Sequence, residues 1–278
     1  EIDDMKLKII ASIVLTLSIA ASMLTGCGLQ SRSAVQPEKK EITVGVTPGS
    51  SDQIMEIVTQ EAAKQGLTVH VKTFSDYITP DQALANGDID LNSFQHQPFL
   101  DAFNEKNGTQ LISIGKTYLA PLALYSHTYK SAADIPDGAA IAIPNDPSNG
   151  GRALQLLQKQ GWIQLAPDKS ATKVTVQDIV ANPKHLHIIE LEAAQLPRSL
   201  DDTDAAVINA GYAISAGLNS KRDSIAVEDN TSPYVNIIAA RPEDKDNPAY
   251  LKFVKAFQSD AVKQYINEHF AGELEPAW

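Results

Sequence analysis

A single cysteine occurs in 278 residues, so no intramolecular disulfide frames the fold. Positive charge is scarce: 23 Lys and Arg stand against 34 Asp and Glu, a formal net charge of -11. That balance argues against nucleic acid or an anionic membrane surface as the main partner. The Gly-x-Ser-x-Gly nucleophile elbow is missing, and so is the Gly-x-x-x-x-Gly-Lys-Ser/Thr spacing of a phosphate loop. There is no internal repeat. What is there is a chain 43% hydrophobic, enough for one large domain or for two lobes with separate cores. A small molecule or a protein is the partner such a chain points to.

The cysteine stands at a telling place. Lys6 and Lys8 precede an apolar run from Ile9 to Leu24, and Leu24-Thr25-Gly26-Cys27 follows. A basic region, a short hydrophobic region and a small-residue boundary form an export signal rather than a membrane span. Leu-x-Gly-Cys at that boundary resembles a lipoprotein signal, in which Cys27 takes lipid and becomes the first mature residue. The expected organisation is a signal over 5–26, with Met5 as the start, then a lipidated tether over 27–41 rich in Ser, Gln, Pro and charge.

In the folded body the most informative stretch is 139–157. Ala139 to Ile143 reads as a buried strand, Asn145-Asp-Pro-Ser-Asn-Gly-Gly151 as dense turn chemistry, and Ala153, Leu154, Leu156 and Leu157 follow a helical period. Ligands of open α/β sheets sit outside the carboxyl ends of strands, near helix N-termini. Arg152 is expected in the first turn of this helix, a poor place for a cation unless an anion shares that end. A carboxylate-sized anion in a two-pronged contact with Arg152 fits the pattern. A solvated helix arginine beside an ordinary turn is the plainer alternative.

Strands are also expected at 42–46, 68–73, 88–92, 111–114 and 117–125 with a break at Pro121, 185–192, 204–208, 225–227 and 234–240, with helices at 53–65, from Thr79 ending at Gly87, 152–160, 176–180, 194–200, the segment after Tyr212 to Gly217, and a pair over 247–270. The opening β-α-β unit favours a parallel sheet. Phe94, His96 and Phe99 cluster at a strand end, near where Phe74 and Tyr77 emerge. They suit a second pocket wall as well as a core. Asn236 within an apolar strand needs partners, because a buried amide is costly without them.

Taken together these residues resemble the NlpA family of methionine-binding lipoproteins, the substrate receptors of methionine ABC importers. The matching pieces are Leu24-Thr-Gly-Cys27, Phe74-Ser-Asp-Tyr77, Phe94-Gln-His96, Ala142-Ile-Pro-Asn-Asp-Pro-Ser-Asn149, Gly151-Arg-Ala-Leu154, Glu192-Ala-Ala-Gln-Leu-Pro-Arg198 and Ser232-Pro-Tyr-Val-Asn-Ile237. They run in the family's order over nearly the whole chain.

The resemblance implies an α/β, two-lobed periplasmic-binding-protein fold of type II character, with a ligand cleft between lobes joined by hinge strands. Lobe 1 would comprise 42–121 and 237–278, and lobe 2 would comprise 122–236. Arg152 would hold the amino-acid carboxylate. Asn149, Asn209 and Asn236 would bind the carboxylate and ammonium groups, and Tyr77, Phe94, His96, Phe99 and Tyr118 would line the side-chain pocket. Phe99 stands where family members often carry tyrosine, which removes one hydroxyl. No cofactor or metal is implied; the partners would be methionine or a close analogue, an ABC permease and ATPase, and a membrane through lipid on Cys27. The protein would face the periplasm or cell exterior.

Rival readings rest on less. His185 and His187 two apart on a strand, near Glu190 and Glu192, imitate a metal site but suit surface histidines better. His96 with Asp90 or Asp101 lacks a placed nucleophile, so catalysis is not expected. A lipoprotein of the same fold with a different amino-acid-like ligand, or with an interaction role, is the other alternative.

Overall fold

A computed structural model describes residues 39–170, 172–229 and 233–278. The expectations for the signal, for Cys27 and for Ser232 lie outside the described residues. Among those described, the chain builds two principal sheets.

The first sheet opens with strand β1 (Glu41–Val46), helix α1 (Ser50–Ala63) and strand β2 (Thr68–Thr73). β1 and β2 pair in parallel from Glu41 opposite Thr68 to Val46 opposite Thr73. Helix α2 (Thr79–Asn86) leads to β3 (Leu91–Asn92), parallel to β1 on its other side. After helix α3 (Gln97–Asn107) comes β4 (Ile112–Leu119). The strand expected over 88–92 shrinks to its last two residues because Gly87, at φ +81°, ends α2 and the Asp88 N–H closes back on Ala83.

The second sheet contains β5 (Ala123–Tyr125), β6 (Ala140–Pro144), β9 (His187–Leu191), β10 (Ala205–Ile208) and β11 (Ser224–Val227), in the order β11-β5-β10-β6-β9. β6 lies between two parallel neighbours. Ile141, Ala142 and Ile143 are fully buried, as a strand covered on both faces requires. Helix α4 (Pro147–Lys159) packs Leu154 and Leu157 on that sheet beside Trp162, and the short helices α5 (Leu196–Ser199) and α6 (Ala210–Ser215) follow β9 and β10. The chain then returns to the first sheet through β12 (Val235–Ala240), antiparallel to β3 and β4, with β13 (Glu275–Pro276) at the edge. The chain therefore passes between the two sheets after β4 and again after β11. Helices α7 (Pro248–Phe257) and α8 (Asp260–His269) bury Tyr250, Phe253, Phe257 and Ile266 against β1 and α1.

Three local expectations are corrected. α4 starts at Pro147, inside the supposed turn: proline at the first helical position lacks only an N–H that has no helical partner, and the Asp146 carboxylate accepts the Asn149 N–H at 2.9 Å. Arg152 is consequently in the second turn, not the first. The helix expected over 176–180 is one 3-10 turn (Val176–Asp178), closed by a Thr175/Asp178 capping box, that runs into strand β8 (Ile179–Ala181) against β7 (Gln164–Leu165); β-branched Val176, Ile179 and Val180 disfavour helix. His185 has φ +52° and precedes β9, so it shares no strand face with His187.

Candidate functional site

Loops leaving the carboxyl ends of β1, β3, β6 and β10 converge on one cleft with about 450 Å³ of free space, part of it open to solvent. Its lining includes Tyr77, Phe94, His96, Phe99, Tyr118 and Asn236 from the side of the first sheet, and Asn149, Arg152 and Asn209 from the side of the second. All nine residues singled out in the sequence thus meet in one place. α1 opens on the cleft with Ser50 and Ser51, and α4 with Asn149, each helix carrying an acid at that end, Asp52 in the first turn of α1 and Asp146 as the cap of α4.

One wall is aromatic. Tyr77 lies 5.6 Å from Phe94 and 5.8 Å from Phe99 between ring centroids, Phe94 and Phe99 meet edge to face at 6.0 Å, and Tyr212 covers Tyr77 at 4.9 Å. Ring edges and faces in this arrangement suit an apolar or polarizable side chain. The floor holds Tyr118, whose hydroxyl meets Ser50 Oγ at 3.2 Å, Ser51 Oγ at 3.1 Å and the Asn236 amide. Asn236 also donates to the Phe94 carbonyl at 3.4 Å, which supplies the partner its buried amide requires.

The polar wall is organised by Asn149. His96 caps α3: its Nδ1 accepts the Phe99 N–H at 3.2 Å, so the ring proton is on Nε2, which donates to Asn149 Oδ1 at 3.0 Å. Burial first, and the Arg152 charge second, push the His96 pKa down to about 3. The imidazole is therefore neutral at physiological pH. Asn149 Oδ1 also accepts from Arg152 Nη1 at 3.2 Å and from Asn209 Nδ2 at 3.0 Å, while its Nδ2 donates to the Asp146 carboxylate. Three donors crowd a single amide oxygen. Among the described residues, the buried Asn209 Oδ1 and Gln95 Oε1 have no hydrogen-bond partner; both residues line the cleft.

The expected two-pronged contact of Arg152 is already made within the protein. Nε donates to Glu228 Oε1 at 3.0 Å and Nη2 to Glu228 Oε2 at 2.5 Å. Nη2 also reaches the Ala120 carbonyl at 3.2 Å, and the guanidinium lies 4.1 Å from the centroid of the Tyr234 ring. With Asn149 on Nη1, four of the five N–H donors are engaged. The one N–H without a bond in these contacts is on Nη1.

Residues that sequence reading missed are Thr47, Ser50, Ser51, Gln95, Ala120, Ala210 and Gly211 in the lining, and Glu228 and Tyr234 behind Arg152. Thr47-Pro-Gly-Ser-Ser-Asp52 is turn chemistry at a strand's carboxyl end, the signal that marked 145–151, and was legible. Glu228 carries no local signal. Beneath the cleft, Asp81 is wholly buried and accepts from Asn92 Nδ2 at 2.8 Å and Gln95 Nε2 at 2.5 Å; burial raises its pKa to about 7. Among the described residues no group of His, Cys, Asp and Glu is placed to hold a metal, and no helix is long and apolar enough to cross a membrane.

Two α/β lobes joined by strand crossings, closing on a cavity with one polar and one aromatic wall, define a substrate-binding protein of the periplasmic-binding-protein class. The NlpA lipoprotein family model matches residues 42–278, and the chain belongs to that family. It is 46% identical over 264 residues to the D-methionine-binding lipoprotein MetQ of Salmonella typhimurium, covering 94% of this chain and 95% of that protein. To MetQ of Escherichia coli it is 45% identical over 263 residues, again 94% and 95%. A nutrient-binding protein from Burkholderia cenocepacia, solved bound to methionine, superposes with a TM-score of 0.83 at 48% identity, covering 85% of this chain and 100% of that one.

Proposed function

We propose that this protein captures methionine in the interlobe cleft and delivers it to an ABC importer, anchored to a membrane by lipid on Cys27 and facing the periplasm or cell exterior. The observation that carries the reading is the pairing, in one cavity, of convergent donors, an unpaired amide oxygen and an aromatic wall. A ligand carboxylate relieves the crowding at Asn149 by taking donors from His96, Arg152 and Asn209. The ammonium finds Asn209 Oδ1, and the thioether lies among Tyr77, Phe94 and Phe99, where ring edges favour sulfur. Tyr118 and Asn236 close the floor.

The lobes are taken as 42–121 with 237–278, and 122–236, except that Val235 and Asn236 go with β12 to the first lobe, because Val235 pairs with Leu119 of β4. Continuity of the sheet that holds β5, β6, β9, β10 and β11 supports that division. The protein is read as a receptor, not an enzyme: His96 is neutral with both nitrogens engaged, and the serines at the cleft are bonded to Tyr118, not to a base. The relatives named for methionine support the choice of ligand.

The test is calorimetric titration of protein stripped of ligand by unfolding and refolding. Methionine, as L and D forms, is expected to bind at micromolar Kd or tighter, and leucine and glutamate far more weakly. A folded protein that takes up neither form of methionine sinks the reading and favours a lipoprotein of this fold with another role.

A further inference from the structure

Glu228 does not line the cleft, yet it fixes the charge the cleft holds. Its carboxylate grips Nε and Nη2 of Arg152 from behind and is itself anchored by the Leu122 N–H at 3.1 Å. The side chains are 2% exposed for Arg152 and 16% for Glu228, so solvent screens the pair poorly. His96 is neutral. Asp146, whose carboxylate accepts from Asn149 Nδ2, and Asp52, close to Tyr118, also border the site, but each sits at a helix N-terminus that opposes its charge, Asp146 as the cap of α4 and Asp52 in the first turn of α1. One guanidinium and one carboxylate therefore dominate the inner cavity, and they cancel.

We propose that Glu228 is a specificity-determining residue: by neutralising Arg152 it makes the cavity electroneutral, so that a zwitterionic amino acid is accepted and a monoanion of the same shape is turned away. This rests on the methionine reading above. A carboxylate lacking the amino group brings an uncompensated negative charge into a neutral, desolvated site, with Glu228 just behind the guanidinium. Removing the Glu228 charge leaves the cavity cationic. The monoanion then completes an ion pair, while the ammonium of the zwitterion meets a net positive field.

The experiment compares methionine with 4-(methylsulfanyl)butanoate, which keeps the thioether and carboxylate and lacks the ammonium, on the full-length, ligand-stripped protein in detergent. Wild type is expected to prefer methionine. In Glu228→Gln the ratio of the two dissociation constants should move toward the butanoate by about tenfold or more, as expected for an elementary charge about 10 Å from the ammonium at an effective dielectric near 20. If Glu228 merely aims Arg152, both ligands weaken together; a ratio within about threefold of wild type in a folded variant overturns the proposal. Glu228→Ala, which admits water to the guanidinium, carries the same expectation should the glutamine variant not fold. Wild type that binds no methionine removes the functional reading and this inference with it; wild type that binds methionine, with an unchanged ratio in the variants, removes the inference alone.

Discussion

Truncating Arg152 strips the ligand of its cation and at the same time leaves the Glu228 carboxylate buried without its partner. Arg152→Ala should therefore lose methionine binding by about a hundredfold or more and unfold more easily, by about 3–5 kcal/mol. Arg152→Lys keeps the charge but has one point to offer where the guanidinium serves Glu228, Ala120 and Asn149 together. It should recover part of the stability, read by thermal denaturation, and little of the affinity, read by calorimetry; near-native affinity in the lysine variant would refute the role given to the guanidinium. Two buried groups set opposite pH dependences. His96, with its pKa lowered to about 3, stays neutral where the unfolded chain takes a proton, so its contribution is complete above pH 6.5 and declines as pH falls toward 3. Asp81, raised to about 7, holds a proton the unfolded chain has lost, so its contribution is complete below pH 3.8 and declines as pH rises through 7. Asp81→Asn removes the second slope: its stability relative to wild type should grow between pH 4 and 7, by up to about 1.4 kcal/mol per pH unit. A difference independent of pH would show that Asp81 ionises normally.

Among elements, the entry to α1 carries the tightest geometry. Gly49 precedes the helix at φ +100°, and a Cβ there would collide with the Gly211 carbonyl at the start of helix α6 (Ala210–Ser215). The two loops come from different sheets, so the collision lies across the cleft. Gly49→Ala should hold the cleft ajar: a folded protein with methionine affinity reduced about tenfold, after backbone strain of about 1–3 kcal/mol, and wild-type affinity in that variant would count against close apposition of the two loops. Elements with a clear period were legible, among them β1, β2, α2 and the final helix pair. The start of α4 was hidden because Pro147, Asn149 and Gly150 read equally as turn residues and as a helix entry. Resolving that needs the Asp146 cap, which is seen only in three dimensions.

For the whole molecule, the cleft is bridged by the His96–Asn149 hydrogen bond and by the Tyr212 hydroxyl donating to the Ser75 carbonyl at 3.0 Å. A ligand held by residues of both sides, as proposed, would favour this closed state. Small-angle scattering of ligand-stripped protein should show compaction on adding methionine, and an unchanged profile from a demonstrably open free state would tell against closure. The sequence by itself determined the alternation of strands and helices and the loops facing the strands' carboxyl ends, because periodicity and turn chemistry are properties of neighbouring residues, and its resemblance to the NlpA family implied the nine residues that line the cleft. Tertiary structure decided that the fork of Arg152 closes on Glu228, that Tyr234 lies over the guanidinium, and that three donors share the Asn149 oxygen. Arg152 and Glu228 are 76 positions apart, and which charge satisfies which depends on distances that exist only once the second sheet has formed and brought the end of β11 beside α4.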